Sequence, residues 1–464
     1  MSDPLAALAA TGQPAWLVGG AIRDRLLGRP TTDFDVVVTG DPRTAARAAG
    51  QAADGHAFEL SDAFGAWRVV ARDHSWQLDV LGLQGETLEQ DLRRRDLTIN
   101  AIAAPLNDLD TPVDPFGGIA DLWARRLAMV SEQSFSDDPL RVLRLARFTA
   151  QLGFEPEAAT VARARDSAAA LAAVSPERIF IEFRALIVAA EAVRGLEAMD
   201  ELGATAAVLP ELAALDGVEQ NRFHHRDVGG HVREVLAQTI AVTADPAALG
   251  LDDATARRLA DALAQPLANE LTRGQALRVG ALMHDIAKPP TRDETEDGRV
   301  TFMGHDQEGA EMAVAILSRL RASERLQSHV AALCRHHLRL GFLWHQRPLG
   351  RRDVYDYLHV CAPVGVDVSV LSVADRLATR GDNARDAITA HLEVFREVIG
   401  PALDWEDQPP RPPVRGDELA DALGIAPGPQ IGRLLAELQA AAYSGEIAGP
   451  QQAIALARDL ADAG

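Results

Sequence analysis

The apolar positions change period along this chain. Near the start a short apolar run, Leu17-Val18, ends at Gly19-Gly20. Ala21 to Leu27 follows with a helical pattern that Gly28 closes as a C-cap. After a short turn comes Asp33-Phe34-Asp35-Val36-Val37-Val38, a buried-strand pattern, and then two further strand-like runs, Ala66 to Val70 and Trp76 to Leu81. These alternating signals predict a small mixed sheet. From residue 137 to about 215 the pattern is helical and alanine-rich, and 216–400 is helical too, with most of the histidines. Gln408-Pro409-Pro410-Arg411-Pro412-Pro413 reads as a linker and hinge, followed by helices broken at Pro427-Gly428-Pro429 and Ser444-Gly445. The pattern predicts an α+β chain with a sheet-bearing head at 1–130, a helical neck at 131–215, a helical domain at 216–405 and a helical tail at 414–464.

A length of 464 residues suits three or four domains of ~100–200 residues each. A hydrophobic content of 47% supplies real cores. No apolar run approaches the ~20 residues needed to span a bilayer, so no membrane partner is expected. Met1-Ser2-Asp3-Pro4 lacks the basic start and apolar stretch of a secretory signal, and Cys334 and Cys361 are the only cysteines. A cytoplasmic setting is the simplest expectation. A net charge of −21 argues at first against a nucleic-acid partner. Binding depends on local patches, however, and arginines cluster at Arg93 to Arg95 and at Arg141, Arg144 and Arg147. The expectation is a basic cleft on an acidic body; a nucleic acid bound only there would be held with modest, salt-sensitive affinity.

The candidate chemistry begins at Gly19-Gly20, where backbone N–H groups can approach phosphate oxygens, with Arg23 in the following helical turn. Asp33 and Asp35 lie at i and i+2 of a strand, hence on one face. They can share a metal site of the kind two-magnesium nucleotidyl transfer needs. Alone, a Gly-Gly is ordinarily a turn and an Asp-x-Asp a solvated loop; their order and spacing set this pair apart. Asp79, mid-strand, is either a third carboxylate beside them or an edge-strand aspartate. The segment from Asp91 to Ala103 suggests one helical face offering Arg95, Asp96 and Asn100. Arginines suit triphosphate oxygens, and Asp and Asn suit ribose hydroxyls. The plain alternative is a solvated face with an Arg–Asp pair.

At these residues the chain resembles the class II tRNA nucleotidyltransferases and bacterial poly(A) polymerases. The matching blocks are Gly19-Gly20-x-x-Arg23, Asp33-x-Asp35, Arg94-Arg95-Asp96-x-x-x-Asn100-Ala101, Asp137-Asp138-Pro139-Leu140-Arg141-Val142-Leu143-Arg144 and Glu177-Arg178-Ile179-x-x-Glu182. The resemblance implies a nucleotidyltransferase head using Mg2+ at Asp33 and Asp35, and a nucleotide site formed by Gly19, Gly20, Arg23, Arg94, Arg95, Asp96, Asn100, Asp138, Arg141, Arg144, Glu177 and Arg178. It implies that Asp138 and Arg141 pair with the incoming base. The family usually has Glu-Asp where this chain has Asp137-Asp138. Residues 423–432 match a family segment that contributes to a tRNA-binding tail.

A second constellation occupies the helical middle: His231, His284-Asp285, His305, His336-His337 and Asp375. Neutral imidazoles and carboxylates on inward helix faces make a divalent or transition-metal site. The series resembles the HD phosphohydrolase domain. That resemblance implies metal-assisted phosphomonoester or cyclic phosphodiester hydrolysis, with His231, His284, Asp285, His305, His336 (or its neighbour His337) and Asp375 as ligands. A helical scaffold for RNA is the alternative.

The resemblance implies an enzyme that extends the 3′ end of tRNA with CMP and AMP from CTP and ATP. In many family members a flexible basic loop precedes the Arg-Arg-Asp motif and helps the switch from CTP to ATP. Here only the short, acidic stretch Leu81 to Gln90 intervenes, so CCA, CC only and A only remain open products. Two other functions share the motifs: a poly(A) polymerase, and an HD phosphohydrolase whose N-terminal region binds RNA.

Overall fold

The computed structural model describes residues 3–61 and 65–463. Met1, Ser2 and Gly464, at the two ends of the sequence reading, lie outside the described residues. The chain divides into two compact units, Met1–Val208 and Leu209–Gly464.

The first unit carries one six-stranded mixed sheet. Its strands are β1 (Ala15–Val18), β2 (Asp33–Val38), β3 (Gly55–Ser61), β4 (Ala66–Ala71), β5 (Gln77–Gly82) and β6 (Ala103–Pro105), in spatial order β3-β4-β5-β2-β1-β6. Only β2 and β5 run parallel. β5 is therefore an interior strand, which rules out the edge-strand reading of Asp79. The pleat explains where the carboxylates go. Val36 and Val38 of β2 enter the main core with Leu17, Ile22, Leu78 and Val80. Val37 points to the opposite face, onto Val18, Leu92 and Ala101. Asp33 and Asp35 share the face of Val37. The apolar contact of Val37 with Leu92 and Ala101 thus lays the Arg94-Arg95-Asp96 segment across the β2 carboxylates.

That segment is not one helix. Thr87 caps the helix Leu88–Arg93 through Gln90 N–H (3.2 Å), and the helix ends there; Thr98–Asn100 is a separate 3-10 turn. The expected single helical face is corrected accordingly. The chain breaks because the Asp96 carboxylate takes the Leu97 N–H (2.8 Å). The same carboxylate accepts from Asn100 Nδ2 at 2.9 Å, so the two side chains still meet. Helices Arg141–Leu152 and Pro176–Ile187 complete the described part of the site. The first stops at Gly153, in the left-handed region at φ 67°, and the second begins with Pro176 in its first turn.

The second unit is helical apart from short two-stranded pairings. Helices Val228–Ala244, Arg273–Met283 and Gly365–Ala378 pack together, as do His305–Arg319 and Glu324–His336. Helices Gly416–Leu423, Pro429–Ser444 and Pro450–Ala463 enclose their own core of Leu419, Ile431, Leu434 and Leu438. Across the proline-rich stretch expected as a hinge, Tyr443 packs against Tyr355 and Trp405 (ring centroids 5.5 and 5.7 Å), and Arg352 pairs with Glu437 at 3.0 Å. Among the described residues no single helix is long and apolar enough to cross a membrane.

Candidate active sites

An open cleft of about 470 Å³ in the first unit is lined by Gly19, Gly20, Arg23, Asp33, Asp35, Arg94, Arg95, Asp96, Asn100, Asp138, Arg141, Arg144 and Arg178, with Arg147 and Phe148. Five motifs separated by up to about 160 positions meet there. Gly19 sits at φ 70°, and a Cβ on it would lie 2.7 Å from Arg95 Nη1 and 3.6 Å from Asp35 Oδ2. Glycine is required on both counts. The Gly19 N–H donates to Ile102 O (3.3 Å), so part of the turn is used to hold β6.

Arg23 is buried and does not point free into the cleft. It donates to Asn100 Oδ1 (2.8 Å) and Asp24 Oδ1 (2.9 Å), and lies over the Phe148 ring. Asn100 leads to Asp96, Asp96 to Arg144 (2.7 Å), Arg144 to Glu182 (3.5 Å) and Glu182 to Arg147 (2.6 Å). This chain of polar contacts ties the glycine turn to helix Pro176–Ile187. Burial acts to raise the Asp96 carboxyl, but Arg144, Asn100 and the Leu97 N–H outweigh it and hold it below the ordinary carboxylate range.

Asp35 is the anomalous carboxylate. Burial pushes it up to about 6; Arg95 opposes this, while Asp33 and Asp79 add to it. Asp33 is exposed and accepts from Gln77 Nε2 at 2.8 Å. Asp79 lies in register with Asp35, but Arg68 takes both its oxygens at 2.7 Å, and it does not line the cleft. Arg95 lies 3.7 Å from Asp91, and its buried Nε has no partner. Asp138 receives Arg178 Nη2 at 2.7 Å and the Leu140 N–H at 3.2 Å. Arg141 donates to Ser134 O (2.9 Å) and to the Arg94 carbonyl. Glu177 is exposed and is not among the lining residues.

The second constellation also assembles. Asp227 caps helix Val228–Ala244 through Gly230 N–H (2.8 Å) and so fixes His231 in its first turn. A Thr272–Gln275 capping box starts helix Arg273–Met283, which delivers His284 and Asp285 at its other end. The Nε2 atoms of His231, His284, His305 and His337 lie 3.6, 3.2, 3.3 and 3.8 Å from Asp285, and His231 is 3.0 Å from Asp375. His284, His305 and His337 each turn Nδ1 to a carbonyl three residues back, Ala281, Phe302 and Cys334, at 2.8, 2.6 and 2.6 Å. That contact puts the proton on Nδ1 and aims the Nε2 lone pair at the common centre. His231 and His284 Nε2 are buried without a hydrogen-bond donor, and with Nδ1 carrying the proton on His284 a carboxylate neighbour cannot supply one, a donor set that fits a cation.

His336 is not in this cluster. It is half-buried and accepts from Arg339 Nε at 3.0 Å. Successive residues at a helix end point about 100° apart, so only His337 faces inward. Burial, then His284, lowers the His337 imidazole to about 4 and leaves it neutral.

Comparison with known proteins bears on both sites. Residues 15–84 and 80–128 match the poly A polymerase head domain, 153–215 the probable RNA and SrmB-binding site of polymerase A, and 254–380 the HD domain. The chain is 36% identical to the A-adding tRNA nucleotidyltransferase of Deinococcus radiodurans over 97% of its own length and 96% of that protein. It is 32% identical to the CC-adding tRNA nucleotidyltransferase of Thermus thermophilus over 96% and 93%. The chain belongs to the tRNA nucleotidyltransferase family. Its fold matches that of a CCA-adding enzyme solved with ATP, with a TM-score of 0.66, 18% identity, and coverage of 99% of this chain and 94% of that one.

Two residues of this nucleotidyltransferase, His224 and Lys288, were not singled out by their sequence pattern. His224 packs edge-on against His231 (5.1 Å) and lines the 490 Å³ cavity over the histidine centre. Lys288 is the chain's only lysine, among 46 basic residues. It is buried, 2.6 Å from both Asp285 and Gln220. That solitary lysine was a usable signal: where arginine is otherwise universal, one lysine marks a place for a compact ammonium.

Proposed function

We propose that this nucleotidyltransferase adds CMP and AMP, from CTP and ATP, to the 3′ end of tRNA in the cytoplasm. The observation that carries this reading is the single cleft holding the Gly19-Gly20 turn, the β2 carboxylates, arginines from four of the five motifs and the Asp138/Arg141 pair. In it, Arg94 and Arg95 hold the triphosphate against the glycine turn, where no Cβ obstructs a phosphate. Asp33 and Asp35 would hold Mg2+. The donor set fits, since hard oxygens crowd together and Asp35 carries a raised carboxyl beside two other carboxylates that a cation relieves. When bound, magnesium supplies charge neutralisation at the triphosphate and the 3′-hydroxyl. Asp138 accepts from the exocyclic amino group of C or A, and Arg141 donates to a ring or carbonyl acceptor. Both bases carry an amino group, so one pair serves both. Arg23, Asp96, Asn100 and Arg144 brace the cleft.

Restriction to CMP is a second reading, favoured by the segment before Arg94. Gln84 N–H donates to Asp91 Oδ1 (2.9 Å) and Glu86 N–H to Gln90 Oε1 (2.8 Å), which pins the stretch as a turn. The test uses tRNA transcripts lacking CCA, ending in one C, and ending in CC, each with CTP, ATP or both. Extension of all three to CCA supports the full reaction. Stopping at CC supports the second reading, A added only to the CC end reduces the proposal to AMP transfer, and long A tails on any RNA overturn it.

For the histidine centre the proposal is metal-assisted phosphoester hydrolysis. His231, His284, Asp285, His305, His337 and Asp375 would hold a divalent or transition metal, which polarises the phosphoester when bound. Hydrolysis lost in His284→Ala but kept in Asp33→Ala, with transfer behaving in reverse, supports two separate activities. Loss of both from either variant overturns the separation.

A further inference from the structure

We propose that Arg178 is a specificity-determining positioning residue: by clamping the Asp138 carboxylate it enforces the choice of amino-bearing over keto-bearing bases. The inference rests on the reading that Asp138 contacts the incoming base.

Asp138 is poorly held by its own backbone. It sits between helices Ser134–Asp137 and Arg141–Leu152 in extended conformation (φ −147°, ψ 101°), where no helical neighbour restricts its side chain. Two contacts hold it instead. The Leu140 N–H takes Oδ1 at 3.2 Å, and Arg178 Nη2 takes Oδ2 at 2.7 Å across 40 positions of sequence. Of these the arginine contact is the shorter and charge-assisted, and it comes from a different helix, Pro176–Ile187. That helix is itself braced through Glu182 to Arg147 and Arg144. The carboxylate is thus fixed in rotation against a rigid part of the cleft.

Arg141 is fixed independently, on the Ser134 and Arg94 carbonyls. A base would meet an acceptor and a donor whose separation is set in advance. Cytosine and uracil differ at position 4, amino against carbonyl, and adenine and guanine differ likewise at position 6. An ionised carboxylate only accepts hydrogen bonds, so it rewards the amino group and repels the carbonyl. That contrast needs the carboxylate in one place. A swinging Asp138 turns away from a carbonyl and loses the penalty. Arg178 is half-exposed, so as a stability element alone the pair is worth little. Its consequence is in orientation.

The test measures kcat and KM for CTP, ATP, UTP and GTP in full-length wild type, Arg178→Ala, Arg178→Lys and Asp138→Ala, on transcripts lacking CCA and ending in CC. Arg178→Ala is expected to raise the KM of the accepted nucleotides about 10-fold with kcat within about 3-fold, and to raise kcat/KM for UTP relative to CTP about 10-fold. Arg178→Lys restores most of both. A fall in kcat alone with unchanged base preference overturns the inference and leaves Arg178 structural. Unchanged base preference in Asp138→Ala overturns the base-reading assignment itself. Should Arg178→Ala unfold, Arg178→Gln, which keeps volume and removes charge, is read in the same way.

Discussion

Asp79 faces Asp35 across the parallel strands β2 and β5, yet its two oxygens are both taken by Arg68 on β4. Two carboxylates in equivalent strand positions therefore have different work available. Asp35→Ala is expected to lower kcat/KM for CTP by at least about 1,000-fold, whereas Asp79→Asn lowers it by about 10-fold by disturbing the field at Asp35. Equal losses in the two variants would make Asp79 a third metal-holding carboxylate. Steady-state incorporation at saturating Mg2+ decides it.

Gly19→Ala tests the turn. The left-handed φ and the 2.7 Å approach to Arg95 Nη1 act together. The expected cost is about 1–3 kcal/mol in folding stability, with nucleotide addition falling at least about 100-fold because Arg95 must move. Thermal melting and transfer assays on the same preparation check both parts. Wild-type activity in the variant would show that the arginine is not needed where it lies.

Asp96 gives a pH prediction with a definite sign. Its folded carboxyl lies below the ordinary range, because Arg144, Asn100 and the Leu97 N–H outweigh burial. The stabilisation is present above the unfolded pKa, near 4, and is lost as pH falls through the folded value. Asp96→Asn should cost about 2–3 kcal/mol at pH 7, and the gap to wild type should narrow as pH falls below about 4. Denaturant titrations at pH 7, 5 and 3.5 measure it. A gap that widens toward acid reverses the assignment.

His336 and His337 are neighbours in sequence with opposite expected fates. Purified His337→Ala should bind less than one tenth of the divalent metal that His336→Ala binds, as the deleted imidazole faces the centre in only one of them. In the wild type, metal at about 100 times its Kd should add about 2.7 kcal/mol to stability. Metal content by mass spectrometry and melting with and without metal provide the readouts.

Tyr355 carries a buried hydroxyl with no hydrogen-bond partner amid Trp405, Tyr443 and His359. Tyr355→Phe should be neutral or stabilising by up to about 1 kcal/mol, while Tyr355→Ala should cost about 3–5 kcal/mol by opening a cavity in the aromatic cluster. Melting of the two variants distinguishes packing from polar anchoring.

Much of the candidate cleft was legible because its motifs are local. Asp33 and Asp35 share a face through the strand period alone, and Gly19-Gly20 marks a turn wherever it occurs. Arg23 was legible as a residue but not in role. Its partner Asn100 lies 77 positions away, and only folding shows that the guanidinium is spent on Asn100 and Asp24. The helix expected through Arg95 to Asn100 failed for a related reason: the Asp96 side chain competes for a backbone N–H, and which competitor wins depends on the Arg144 it meets from another helix.

The sequence by itself determined the strand and helix periods, the paired carboxylates and the arginine clusters, because each is a matter of spacing along a few turns or residues; the histidine series, spread from His231 to Asp375, was legible only as a resemblance. Tertiary structure alone decided which groups are already taken: Asp79 by Arg68, Asp138 by Arg178, and His336 turned away while His337 turns in. Those outcomes depend on partners from distant segments and on burial, which strengthens a paired charge and penalises an unpaired one. No local pattern carries that information.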